Sequence, residues 1–164
     1  MTYYELVKAI QTLCEEHKQV QSYGYGNISN IETPLVNPGR NYPYVFLNPT
    51  QHQLGEGIAR LRFNMIVMDL ASEDFRDNYN GETGLGKSDI TLYGEDFVLR
   101  AQSDSLQIIT DILSALRYDL QETDVTLSVT LTPFEERFND TVAGMTASIE
   151  VILPSTLNFC IAPF

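Results

Sequence analysis

Leu106, Ile109, Leu113, Leu116 and Leu120 recur at alternating steps of three and four, which lays one apolar stripe along a helix predicted over residues 96–120. Arg100, Gln102, Asp104, Gln107, Asp111 and Arg117 fall largely elsewhere on the wheel. Asp96 is the predicted N-cap, where a carboxylate also suits the positive end of the helix dipole. An earlier helix is predicted over residues 2–18. Tyr3, Leu6, Val7, Ile10, Leu13, Cys14 and His17 share its inner face, and Thr2 with Glu5 forms a capping box. His17, close to that helix's C-terminal end, reads as dipole-stabilised or half-buried rather than as a ligand.

Between the helices the period shortens to two. Residues 22–33 alternate around two glycines and read as a strand with a bulge. A proline- and asparagine-rich loop follows, then a short apolar strand at Tyr44–Leu47 stopped by Pro49, then a polar turn over 51–57. In residues 59–70, Leu61, Phe63, Met65 and Val67 line one face throughout. The other face opens polar with Arg60, Arg62 and Asn64 and turns apolar at Ile66, Met68 and Leu70. That pattern predicts an interior strand, covered by a helix along part of its second face. Val125, Leu127, Val129 and Leu131 alternate after the long helix, and Ala143, Met145, Ala147, Ile149 and Val151 alternate again, so the two runs pair as an antiparallel hairpin around EERFND.

The expected fold class is α+β: a mostly antiparallel sheet of about five strands with two packed helices and a C-terminal β-hairpin. One domain is expected over residues 1–164, with a long flexible loop at about 71–94 and an apolar C-terminal tail at 154–164.

Charge narrows the function classes. The 164 residues carry a formal charge of −12, with a pI near 4.4. A nucleic-acid groove needs lysines and arginines to displace phosphate counterions, so that class is disfavoured, whereas a surface that DNA slides past without sticking is compatible. MTYYELVKAI lacks the basic and apolar regions of a signal peptide, and no apolar run reaches membrane-spanning length. Cys14 reads as a small core residue, and with Cys160 far away in sequence an intracellular folding compartment is expected.

Candidate chemistry is sparse. Residues 81–88, GETGLGKS, satisfy the phosphate-loop pattern. That chemistry requires a buried strand entering the loop and a helix leaving it; ASEDFRDNYN precedes the loop and the extended-looking DITLYGEDF follows. His17 and His52, the two histidines, lack metal-ligand spacing, and the acidic pairs read as solvated surface. The expectation is a non-enzyme with no catalytic residue, cofactor or metal. Its alternatives are a nucleotide-binding enzyme using Lys87 and Ser88, and a monomeric adaptor or assembly protein.

Contact surfaces are the better candidates. Phe134 and Phe138 flank Glu135, Glu136 and Arg137 at the predicted hairpin tip, a combination that suits a protein interface, although both rings could equally fold onto the core. The tail ILPSTLNFCIAPF, with Phe159 and Phe164, needs covering by its own subunit or a neighbour. Arg60 and Arg62, side by side on one strand face, are candidates to meet a neighbour's acids.

YGYGNISNIE, NYPYVFLNPT, RLRFNMIVMDL, QSDSLQIITDIL and TPFEERFNDTVAGMTASIEVILP together resemble small structural proteins of tailed bacteriophages: tail-terminator, tail-completion and neck-ring proteins of crAss-like or related phages. The resemblance spans Thr2 to Pro154 and rests on pattern and phrases rather than a catalytic signature. It implies a homo-oligomeric ring, often six- or twelvefold, at the neck or tail junction of a virion assembled in the bacterial cytoplasm. Such a ring contacts other neck, portal or tail proteins, passes DNA as cargo through its lumen, and touches no membrane. It implies inter-subunit contacts through Arg60, Arg62, Phe134, Glu135, Arg137, Phe138, Phe159 and Phe164, because a ring joins one patch to a different patch on the next subunit.

Overall fold

The computed structural model describes residues 2–31, 42–71, 95–120, 126–137 and 141–155. The order is α1 (Tyr3–Glu16), β1 (Ser22–Tyr25), a short 3-10 turn (Ile28–Ile31), β2 (Tyr44–Pro49), β3 (Gln53–Gly55), β4 (Ile58–Leu70), α2 (Glu95–Asp119), β5 (Thr126–Arg137) and β6 (Thr141–Pro154). The strands form one six-stranded sheet of order β1-β2-β4-β6-β5, with β3 paired to the start of β4. The fold is α+β as expected.

Each element has a local cause. Thr2 caps α1 reciprocally with Glu5: the Glu5 N–H donates to Thr2 Oγ1 at 3.2 Å and the Thr2 N–H donates to Glu5 Oε2 at 2.6 Å. The Thr2 backbone N–H, with its hydroxyl, holds the Glu5 carboxylate below its usual range. Thr2→Ala is therefore expected to lower stability by about 1 kcal/mol, read as an earlier denaturant midpoint with an unchanged slope. β3 and β4 meet in a tight turn at Glu56–Gly57, where Gly57 takes φ of +73°, a left-handed conformation that glycine adopts without strain.

β4 is the sheet's spine, paired antiparallel to β2 along its second half and to β6 along its whole length. Its Leu61, Phe63, Met65 and Val67 face the helices together with Val45 and Leu47 of β2 and Ala147, Ile149 and Val151 of β6. Leu6, Ile10 and Cys14 of α1 and Ile108, Ile109, Ile112, Leu113 and Leu116 of α2 close that core. Cys14 is fully buried, as its place in the helical pattern predicts.

Several expectations need correction. Asp96 lies inside the first turn of α2, which begins at Glu95. The buried stripe of α2 is broader than the leucine spacing indicates, taking in Ala101, Ser105, Ile108 and Ile112, while Leu106 stands 37% exposed. Both described α-helices pack on the same sheet face. The apolar half of the other, far face, formed by Tyr44, Phe46, Ile66, Met68 and Val142, is covered instead by Ile31 with Tyr42 and Phe134. Leu70 ends that row 43% exposed. The predicted strand over 22–33 is cut to β1, which pairs parallel with β2, and the polar turn over 51–57 contains β3. The phosphate-loop-like residues 81–88 and nearly all of the expected loop and tail lie outside the described residues.

Candidate interaction surfaces

The far face of the sheet divides into an apolar and a polar half. In the polar half β4 presents Arg60, Arg62 and Asn64, and register sets them beside Ile152, Glu150 and Ser148 of β6, which in turn stand beside Thr126, Ser128 and Thr130 of β5. Glu150 gathers both arginines: Arg62 Nε donates to its Oε2 at 2.6 Å and Arg60 Nη1 lies 3.6 Å from its Oε1. Ser148 Oγ donates to Asn64 Oδ1 at 3.0 Å. Arg60 and Arg62 are thus joined within the chain. Their side chains are 42% and 38% exposed, so the cluster is wet and contributes modestly to stability. It nevertheless places two cations against one anion on an otherwise acidic protein.

The hairpin differs from its expected shape. β5 and β6 remain paired from Thr126↔Ile152 to Arg137↔Thr141, so Phe134, Glu135 and Arg137 are strand residues opposite Gly144, Ala143 and Thr141. Phe134 is half-buried against the far-face apolar cluster, and its carbonyl accepts from Gln102 Nε2 at 3.2 Å. Phe134 thus packs in part on its own sheet. Glu135 is exposed. Phe138, Phe159 and Phe164 lie outside the described residues.

Two features were not legible in the sequence. Glu150 gave no signal by itself, because its pairing with two arginines follows from the β4–β6 register. The second is that β5 is, among the described residues, an edge strand. Leu127 is partly buried on the helix-bearing side, but Val129 and Leu131 on that side are 37% and 41% exposed. Gln102 of α2 reaches β5, and Leu106 sits one turn further along the same side of that helix. Among the described residues α2 thus meets β5 at Phe134 and leaves Leu106, Val129 and Leu131 half open.

Histidine chemistry resolves into structural roles. His17 Nδ1 accepts from the Gln19 N–H at 3.2 Å, so its proton sits on Nε2, which lies 3.4 Å from Asp111 Oδ2 and ties α1 to α2. His52 Nδ1 accepts from the Arg62 N–H at 3.2 Å, and its ring packs at 5.1 Å from Tyr3 and 5.5 Å from Phe63. Desolvation lowers its pKa from the ordinary 6.5. A lowered folded pKa means the folded chain binds fewer protons, so this contribution is present above about pH 6.5 and is lost as pH falls through the lower folded value. His52→Asn, which keeps an acceptor and removes the titration, should show a smaller loss of melting temperature between pH 7.5 and 5.5 than the parent.

Among the described residues no group of three or more His, Cys, Asp and Glu is placed to hold a metal. Burial pushes the Cys14 thiol up to about 12, which makes it a poor nucleophile. Burial also raises the Asp69 carboxyl, with Asp104 adding repulsion. Buried hydroxyls of Tyr23, Tyr42 and Ser105 lack hydrogen-bond partners among the described residues. No described helix is long and apolar enough to cross a membrane. Arg60 also lines a shallow cavity of about 370 Å³ with Gln53, Leu54, Gly55 and Ile58, at the end of the sheet where β3 meets β4. Comparison with protein-family models and with curated proteins gives no match.

Proposed function

We propose that this protein is a structural subunit of a tailed-phage virion that assembles into a ring at the neck or tail junction, ending or joining the tail and letting DNA pass through its lumen. Its partners are further copies of itself and the neighbouring neck, portal or tail proteins. The observation that carries the reading is the polar half of the far face, which no other described residue covers and which bears the part-exposed Arg60–Glu150–Arg62 cluster. A ring joins unlike patches, and in a chain of charge −12 an arginine-bearing patch has acidic surface to meet on the next copy. The same acidic balance suits a conduit in which DNA is not trapped.

Mass photometry of the purified chain across concentration and salt tests this reading. The expected result is a closed oligomer that loosens as ionic strength rises, because a contact at the wet rim is screened within roughly 8–10 Å. Arg60→Gln removes the longer of the two ion pairs and is expected to weaken assembly several-fold while leaving the subunit folded. A chain that remains monomeric at every concentration would contradict the proposal.

A further inference from the structure

β5 is 12 residues long and, among the described residues, forms one edge of the sheet. Long edges invite pairing, and monomeric proteins usually blunt them with lysines, bulges or short strands. β5 carries no charge from Thr126 to Phe134, and Pro133 is the first residue in it without a backbone donor. The free run is therefore Thr126–Thr132, reading Thr-Leu-Ser-Val-Thr-Leu-Thr.

That run is chemically the same in both directions about Val129. Threonines end it, leucines come next, and a serine and a threonine flank the valine. Its alternation sends Leu127, Val129 and Leu131 to the helix-bearing face and the hydroxyl residues to the far face. Laid antiparallel on a second copy and centred on Val129, it sets valine against valine, each leucine against the other leucine, and hydroxyl against hydroxyl. Every cross-strand pair is then matched, and no carboxylate enters the contact.

We propose that two copies of this chain pair antiparallel through β5, centred on Val129, and so continue one sheet across a two-fold axis. Both helix layers then lie on the same side of the seam, and the half-open Leu106, Val129 and Leu131 of each copy face those of the other. The run's self-complementarity selects a second copy over an unrelated partner. A two-fold contact closes after two subunits. The ring proposed above therefore closes through other surfaces, and neither inference depends on the other.

Cysteine cross-linking tests the register, in a Cys160→Ser background where the remaining Cys14 is buried. Val129→Cys is expected to form a covalent dimer under mild oxidation, because residues directly opposite lie within disulfide reach. Thr126→Cys and Thr132→Cys should each fail alone and link when mixed. Val129→Glu, which sets two carboxylates face to face, should abolish the dimer while circular dichroism stays unchanged. Linking of Thr126→Cys alone as fast as Val129→Cys, or no linking at all, overturns the pairing. Rings without these cross-links overturn β5 pairing and leave the ring reading standing; cross-links in a protein that forms no rings do the reverse.

Discussion

Gly144→Ala is expected to cost about 3 kcal/mol or more, lowering the melting temperature of a chain this size by roughly 10 °C. Gly144 sits in β6 between Met68 of β4 and Phe134 of β5. A Cβ there would collide with the Val67 carbonyl oxygen and come within 2.9 Å of the Val67 carbonyl carbon and Met68 Cα. All three atoms belong to the backbone of the central strand, so relief means prising β6 off β4. Gly57→Ala is the informative control. A Cβ at Gly57 meets nothing within 4 Å, and only its φ of +73° opposes the change, which should cost about 1 kcal/mol. Chemical denaturation of both variants checks the contrast, and equal costs would show that strand separation is not what limits position 144.

Phe63→Ala is expected to remove about 3–5 kcal/mol. Phe63 is 1% exposed, points into the helix-side core from β4, and is among the largest fully buried side chains. Its ring also stacks on Tyr3 at 5.8 Å and packs against His52 at 5.5 Å, so its loss opens a cavity where the start of α1 meets the β3–β4 end of the sheet. Tyr3 is itself anchored by a 2.7 Å hydroxyl contact to Tyr25 of β1, and burial, with that contact, raises its phenol pKa. Cavity formation should therefore be felt at β1 as well as β4. A second readout follows. With Phe63 gone His52 is better hydrated, so the pH-dependent loss of stability near pH 6 should shrink. Loss of stability with an unchanged pH profile would mean that His52 is desolvated by other neighbours.

Where a side chain's fate depended on its own strand or helix, the sequence was readable. Alternation over Leu61–Val67 named the helix-side face of β4, and the polar-to-apolar switch of its other face located the boundary between wet and covered halves. The capping box of Thr2 and Glu5 needed only local spacing. The failures share a cause, which is that register and layer width are tertiary properties. The leucine spacing of α2 follows one margin of a wider buried stripe, so it points Leu106 inward although that side chain is 37% exposed. Three-residue β3 is too short to show a period, and the parallel pairing of β1 with β2 leaves no mark on either strand. Glu150 became part of a charge cluster only once β6 was set against β4. Phe134 reads from sequence as a hairpin-tip residue because the charged residues after it disfavour strands, whereas β5 stays paired as far as Arg137.

Electron-microscopic class averages of the purified protein should show closed rings with an open lumen wide enough for a DNA duplex, with a subunit number that stays fixed as concentration changes. Single small particles at every concentration, or open-ended chains without closure, would contradict the ring reading.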